Sequence, residues 1–184
     1  MMEAPLDAII PELEGDEFLM WEARQPGRYE LHHGFVVAFA GGSVAHATIA
    51  LNLQILLRQT FPAPCRVFGS DLKIEIARRT YYYPDASVAC EPLDDAATLS
   101  RAPIVVAEVL SARTSAYDRI EKRAGYRSLE SLRAFLIVYT DRRRVEVDLR
   151  EEGSWQTKVS TDGTLSLGET GIPLEELYAQ TTIS

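Results

Sequence analysis

The stretch that decides the fold is IVVAEVL, residues 104–110. Ile104, Val105, Val106 and Val109 are β-branched and six of the seven residues are apolar, so the run reads as a strand covered on both faces. Glu108 breaks the pattern. A lone carboxylate in such a place costs several kcal/mol unless it is paired or binds a metal. Either Glu108 reaches water at the strand end, or the fold needs a negative charge there.

Downstream, SARTSAYDRIEKRAGYRSL holds a capping-box pattern, Ser115 with Asp118, that predicts a helix over 115–128. RAFLIVYT (133–140) reads as a strand and DRRR (141–144) as a tight connection. VEVDLR (145–150), SWQTKVS (154–160) and TLSLG (164–168) suggest an antiparallel meander, and Pro173 opens a short helix over 173–178. Upstream, Pro84 forces an extended entry into a strand within YYYPDASVAC (81–90), and CRVFGSDLKIEIA (65–77) reads as two short strands broken at Gly69. Ile49, Leu53, Leu56 and Leu57 share one face of a helix over 44–60 that stops before Pro62. YELHHGFVVAFAG (29–41) reads as a hairpin turning near His32, His33 and Gly34, and Phe18, Leu19 and Trp21 can seat a short helix before it.

The layout is α/β of the mixed α+β kind, in one domain over residues 1–184. A central mixed sheet of strands near 71–77, 86–90, 103–110 and 133–149 is flanked by helices 44–60 and 115–128. A hairpin precedes it and an antiparallel meander follows.

A chain of 184 residues, 46% hydrophobic and 25% charged, is of ordinary globular composition with enough length for a real core. No apolar run approaches the ~18–20 residues of a membrane span. The acidic start lacks the basic region of a signal peptide. Cys65 and Cys90 match neither a disulfide framework nor a zinc spacing, so each reads as a small hydrophobe and the compartment as the reducing cytoplasm. The net charge of −8 argues against a polyanionic partner, since phosphate binding runs on Lys and Arg. Yet residues 113–144 carry nine basic side chains against four acidic ones. That segment is either a phosphate-facing surface or a solvated helix face with a charged turn.

Three features converge if the strands at 86–90 and 103–110 are neighbours. Asp85 sits at a strand mouth after Pro84, Glu108 lies near a strand end, and Lys122 lies on the next helix, in line with Asp118 and Tyr126 at i, i+4, i+8. Two such carboxylates suit a hard divalent cation, and an ammonium beside them can orient a water or offset developing phosphate charge. The other reading is structural: Glu108 pairs with Lys122 or Arg119, while Asp85 caps a turn.

These residues carry a resemblance. YELHHGFVVAFAGGSVAHATIALNL, VFGSDLKIEI, YYYPDASVAC, PIVVAEVLSARTSAYDRIEKRAGYRSLESLRAFLIVYTDRRRVEVDLR and GIPLEELY are similar, in matching order over about residues 20–180, to the Uma family of endonucleases. That family belongs to the PD-(D/E)XK restriction-endonuclease-like superfamily and is abundant in cyanobacteria. The resemblance implies a restriction-endonuclease-like core and Mg²⁺-dependent hydrolysis of phosphodiester bonds in DNA, with Mn²⁺ able to substitute. It implies Asp85 and Glu108 as metal ligands with the Val109 carbonyl, Glu30 holding the metal through water, and a homodimer. The motif lysine would fall at residue 110, where this chain has Leu110; Lys122 matches the family's lysine on the following helix. Lys73 is the other lysine kept in view. Arg119, Arg123 and His46 are the candidate nucleic-acid contacts, with a capping histidine as the alternative for His46. Tyr81, Tyr82 and Tyr83 either stack on bases or enter a half-buried strand. Leu110 and the net charge leave open a binding or interaction module of the same fold, or hydrolysis of a small phosphodiester. Relief of carboxylate repulsion predicts that removing Asp85 or Glu108 leaves stability unchanged or raised.

Overall fold

The computed structural model describes residues 12–38, 41–110, 118–168 and 170–183. In chain order it holds helix α1 (Gly15–Glu22), strands β1 (Tyr29–His32) and β2 (Phe35–Ala38), and helix α2 (Val44–Thr60). Strands β3 (Arg66–Phe68), β4 (Lys73–Ala77), β5 (Thr80–Tyr82), β6 (Ala86–Ala89), β7 (Leu99–Ser100) and β8 (Val105–Val109) follow. A π-helical turn (Asp118–Lys122) then runs into helix α3 (Arg123–Arg127). Strands β9 (Ala134–Val138), β10 (Val145–Glu151), β11 (Ser154–Ser160), β12 (Thr164–Leu167) and β13 (Thr170–Pro173) lead to α4 (Leu174–Leu177).

The 104–110 run is the buried strand its composition predicts. β8 and β9 are covered along their whole length and lie parallel in the middle of a six-stranded mixed sheet, ordered β11-β10-β9-β8-β6-β3. Its other pairings are antiparallel. Alternation along β8 and β9 sends Val105, Ala107, Val109, Ala134, Leu136 and Val138 toward α2, whose Ile49, Leu53, Leu56 and Leu57 fill the interface. Each such fully buried large side chain contributes ~1.5–3 kcal/mol. Val106, Leu110, Phe135 and Ile137 face the other way, onto Ile74, Tyr82 and Tyr126. Glu108 belongs to this second face.

A second sheet, ordered β2-β1-β5-β4-β7, supplies the opposite wall. One of its faces packs Leu31 and Tyr81 on Phe18 of α1. Its other face carries Glu30, His32 and Tyr82 toward the six-stranded sheet. The β1–β2 hairpin turns through His33 and Gly34, with φ of 52° and 97°; two left-handed residues in a two-residue loop match the twist of the strands they join.

Four expectations change. The 71–77 strand is not in the central sheet: β4 pairs with β5 and β7 instead, because periodicity marks a strand without naming its partner. The meander stops after β11, and β12 pairs with β13 in a separate ribbon that sends Leu165 and Ile172 into the α2 core. Cys65 and Cys90 are not free hydrophobes. The β3–β6 register pairs Arg66 with Ala89, which sets the cysteines opposite each other with Cα atoms 3.9 Å apart and joined as a disulfide. The helix begun at 115 falls partly outside the described residues, with its capping box; from 118 it starts as the π-helical turn. Among the described residues no helix is long and apolar enough to cross a membrane.

Candidate active site

Glu108 and Asp85 meet because of strand register. β6 and β8 pair antiparallel with Ala86 opposite Ala107, and one further step sets Asp85 opposite Glu108. Directly opposed residues share a face of the sheet, with Cβ atoms ~4.5–5.5 Å apart. Both carboxylates are almost closed to water, at 7% exposure for Asp85 and 5% for Glu108. Asp85 is held three ways. Its Oδ2 accepts from the Val109 amide at 2.7 Å and lies 3.3 Å from Nε2 of His46, while its backbone carbonyl accepts from Gln54 of α2 at 2.9 Å. The α2 N-cap fixes the histidine, since Ser43 Oγ accepts from the His46 amide.

On the other side, the Tyr126 hydroxyl donates to Glu108 Oε1 at 2.8 Å and Lys122 Nζ reaches the same oxygen at 3.3 Å. Lys122 also donates to Glu30 Oε1 at 2.9 Å and lies over the Tyr82 ring. Glu30 accepts a further bond from the Tyr83 amide at 2.8 Å, and its Oε2 lies 2.8 Å from His32 Nε2. The i, i+4 spacing of Lys122 and Tyr126 and the i, i+2 spacing of Glu30 and His32 put each pair on one face of its element.

Burial alone raises the carboxyl pKa of Glu30, but the Lys122 ammonium, the His32 hydrogen bond and the Tyr83 amide more than offset it, and the group is held below the usual carboxylate range. Tyr126 moves well above the ordinary phenol value, through its full burial and then the charges of Glu108 and Glu30. It stays a neutral hydroxyl donor.

Glu30 and Glu108 therefore share the Lys122 ammonium, and Asp85 enters the neighbouring strand, with the His32 and His46 imidazoles at the margin. Among the described residues no three His, Cys, Asp or Glu side chains stand together as a ready cage for a metal ion. The donor chemistry nevertheless fits Mg²⁺. All the groups are hard oxygens, and negative charge exceeds positive. The Val109 carbonyl lies on the same strand edge as its amide, which points at Asp85, one step past the last β6–β8 pair.

The remaining sequence candidates go elsewhere. Lys73 pairs with buried Glu22 of α1, and the Tyr83 hydroxyl bonds the same glutamate at 2.9 Å. Arg123 is not turned to solvent phosphate as expected: its guanidinium is bound by Asp148, by Glu146 at 3.1 Å and by Thr157 at 3.0 Å. Asp148 is 1% exposed and needs a cation, which is why Arg123 turns inward. Arg127 stands 3.7 Å from the same carboxylate. The side chain of Arg119 lies outside the described residues. Tyr81, Tyr82 and Tyr83 are buried. Sequence reasoning passed over His32 as a turn residue and left Tyr126 undecided; the period-two and i, i+4 spacings were the available signals.

A family model whose description reads "Uma2: Putative restriction endonuclease" matches residues 16–179. Uncharacterized protein slr1290 of Synechocystis sp. PCC 6803 is 37% identical over 154 residues, covering 80% of this chain and 80% of its own length. Uncharacterized protein sll1609 of the same organism is 30% identical over 131 residues, covering 68% and 74%. The crystal structure of a "putative nuclease belonging to DUF820" from Anabaena variabilis superposes with a TM-score of 0.68 at 17% identity, over 91% of this chain and 98% of that one. At that identity the likeness speaks for the fold. The family model spans most of the chain, and the chain belongs to the Uma2 family of restriction-endonuclease-like nucleases.

Proposed function

We infer that the chain is a metal-dependent nuclease that hydrolyses phosphodiester bonds of DNA at the Asp85–Glu108 centre. The observation that carries this is the opposition of Asp85 and Glu108 across β6 and β8 with the Lys122 ammonium on the same face. Asp85 and Glu108 would hold Mg²⁺ with the Val109 carbonyl, and Glu30 through water. The bound metal supplies Lewis-acid charge and a water of lowered pKa.

The chain's own groups do the rest. Tyr126 and Lys122 fix Glu108 from one side, and His46 and the Val109 amide fix Asp85 from the other, so both carboxylates are oriented before substrate arrives. Lys122, buried and charged, donates to phosphate oxygens as negative charge develops on them. Its place on the helical turn supplies the ammonium that Leu110 cannot. Glu30, kept ionised by Lys122 and His32, adds negative charge that orients water at the edge of the centre.

The test is hydrolysis of DNA and of bis(p-nitrophenyl) phosphate with Mg²⁺ or Mn²⁺. Asp85→Asn, Glu108→Gln and Lys122→Met should each lower the rate by two or more orders of magnitude while the proteins stay folded at the assay temperature. Undiminished hydrolysis in all three would refute the assignment.

A further inference from the structure

The face of the second sheet that carries Glu30 does not end at Glu30. In the β1–β2 register Glu30 is opposite Val37 and His32 is opposite Phe35, so these two apolar side chains continue the floor of the centre by one strand. β2 is the edge of that sheet. Phe35 is 58% exposed and Val37 44% exposed, although the hairpin's other face buries Leu31 and half-buries Val36. His33 in the turn stands 3.8 Å from Glu121, and Ile120 beside it is 65% exposed. The rim thus runs from the hairpin to the helical turn that presents Lys122. A strand next to a phosphodiester-cutting centre would be expected to show cations. This one shows a phenyl ring and a valine.

We propose that this ledge is a platform for unpaired bases, and that the substrate is single-stranded nucleic acid or a strand end. The proposal rests on the nuclease reading and narrows it. A phosphate gains nothing from Phe35, whereas a base stacks on it, and an aromatic–base stack contributes about 1–3 kcal/mol per base. Duplex DNA hides its base faces inside the helix, so only unstacked nucleotides can use such a ring. The electrostatics point the same way. The chain carries a formal charge of −8, and Arg123 and Arg127, on the helix expected to track a backbone, are turned onto Asp148. Binding that leans less on counterion release leans more on stacking. Phe35 and Val37 lie one strand from His32 and Glu30, about the spacing of neighbouring strands at ~4.8 Å, so a stacked base stands beside the edge of the centre.

The experiment compares one oligonucleotide as a single strand and as a blunt duplex, with Mg²⁺ or Mn²⁺, for wild type, Phe35→Ala, Phe35→Trp and Val37→Ala. The single strand should be cut in preference to the duplex. Phe35→Ala should raise its KM about 5- to 150-fold, the range of one lost stack, and Phe35→Trp should keep the wild-type value. Binding is read separately, by the quenching of a 2-aminopurine in the single strand when it stacks; quenching in wild type and Phe35→Trp but not in Phe35→Ala supports the ledge even if hydrolysis is absent. Absence of all diester hydrolysis would sink the nuclease reading and leave this binding arm to decide the ledge. Equal cutting of duplex and single strand, or an unchanged KM and unchanged quenching in Phe35→Ala, would overturn the proposal. So would a wild-type dimer, seen by sedimentation velocity, that Phe35→Ala converts to a monomer, because the ledge would then be an interface between copies.

Discussion

Replacing Lys122 by methionine probes the centre most sharply, because it keeps the side-chain volume and removes the ammonium that Glu30 and Glu108 share. The substitution breaks an ion pair of 2.9 Å with Glu30 and one of 3.3 Å with Glu108, between groups only 5–6% exposed. Removing one partner of a buried ion pair costs about 3–5 kcal/mol, a large part of a typical stability of about 5–15 kcal/mol. Urea unfolding at neutral pH with a chelator present should show that deficit. The pH dependence has a defined sign. In wild type the Glu30 carboxyl is held below its ordinary value of 4.5, so its contribution is present above that value and is lost as pH falls through the lower folded one. In the variant the largest lowering influence, the Lys122 charge, is gone while the His32 and Tyr83 bonds remain, so the gap between the two proteins should narrow as pH falls through the carboxylate range. Mg²⁺ should stabilise Lys122→Met more than wild type, since a cation then replaces the missing ammonium. A deficit below about 1 kcal/mol, or one that is the same at neutral and acid pH, would refute the idea that Lys122 is the counter-charge of the centre.

Lys73→Met should strand the buried Glu22 carboxylate and cost about 3–5 kcal/mol in thermal or urea unfolding, yet leave phosphodiester hydrolysis intact where the protein is folded; lost activity at full folding would place Lys73 in the centre after all. Tyr178 is 1% exposed and burial pushes its phenol up to about 12. The fold holds that proton while the unfolded chain releases it from about pH 10, so stability should fall between those values by up to about 3 kcal/mol, and Tyr178→Phe should flatten the alkaline limb of a urea-midpoint profile. The Cys65–Cys90 bridge closes a sequence separation of 25, worth about 3–4 kcal/mol by loop-closure entropy; dithiothreitol should lower the melting temperature of wild type and not that of Cys65→Ser/Cys90→Ser, and identical responses would show that the bridge does not staple the fold.

The fold was legible where one physical signal dominated. The apolar run at 104–110, the four-residue face of α2 and the His33-Gly34 turn each specify an element by themselves. Partners were not legible, because a strand's pattern says which faces are buried and not what it bonds to; β4 and β12 therefore went to sheets that periodicity could not foresee. The cysteines fail for a related reason. Their 25-residue separation carries no framework, and only the β3–β6 register brings them together. At the site, Pro84-Asp85 and the misplaced Glu108 were visible as chemical anomalies, and the lysine four residues before Tyr126 as a helix face. The pairing of Arg123 with Asp148 was not, since a buried aspartate in VEVDLR looks like any alternating strand residue. The stability expectation for Glu108 also changes. With Lys122 and Tyr126 bound to it, Glu108→Ala takes the acceptor from a buried hydroxyl and should cost about 1–3 kcal/mol rather than relieve repulsion.

Calorimetric titration of Mg²⁺ and Mn²⁺ into wild type, Asp85→Asn and Glu108→Gln decides whether the paired strand ends are a metal centre. Saturable cation binding is expected in wild type, and both isosteric variants should lose it. No binding in wild type, or binding that neither substitution weakens, would mean that Glu108 is a structural charge neutralised by Lys122 and that no metal is held between β6 and β8.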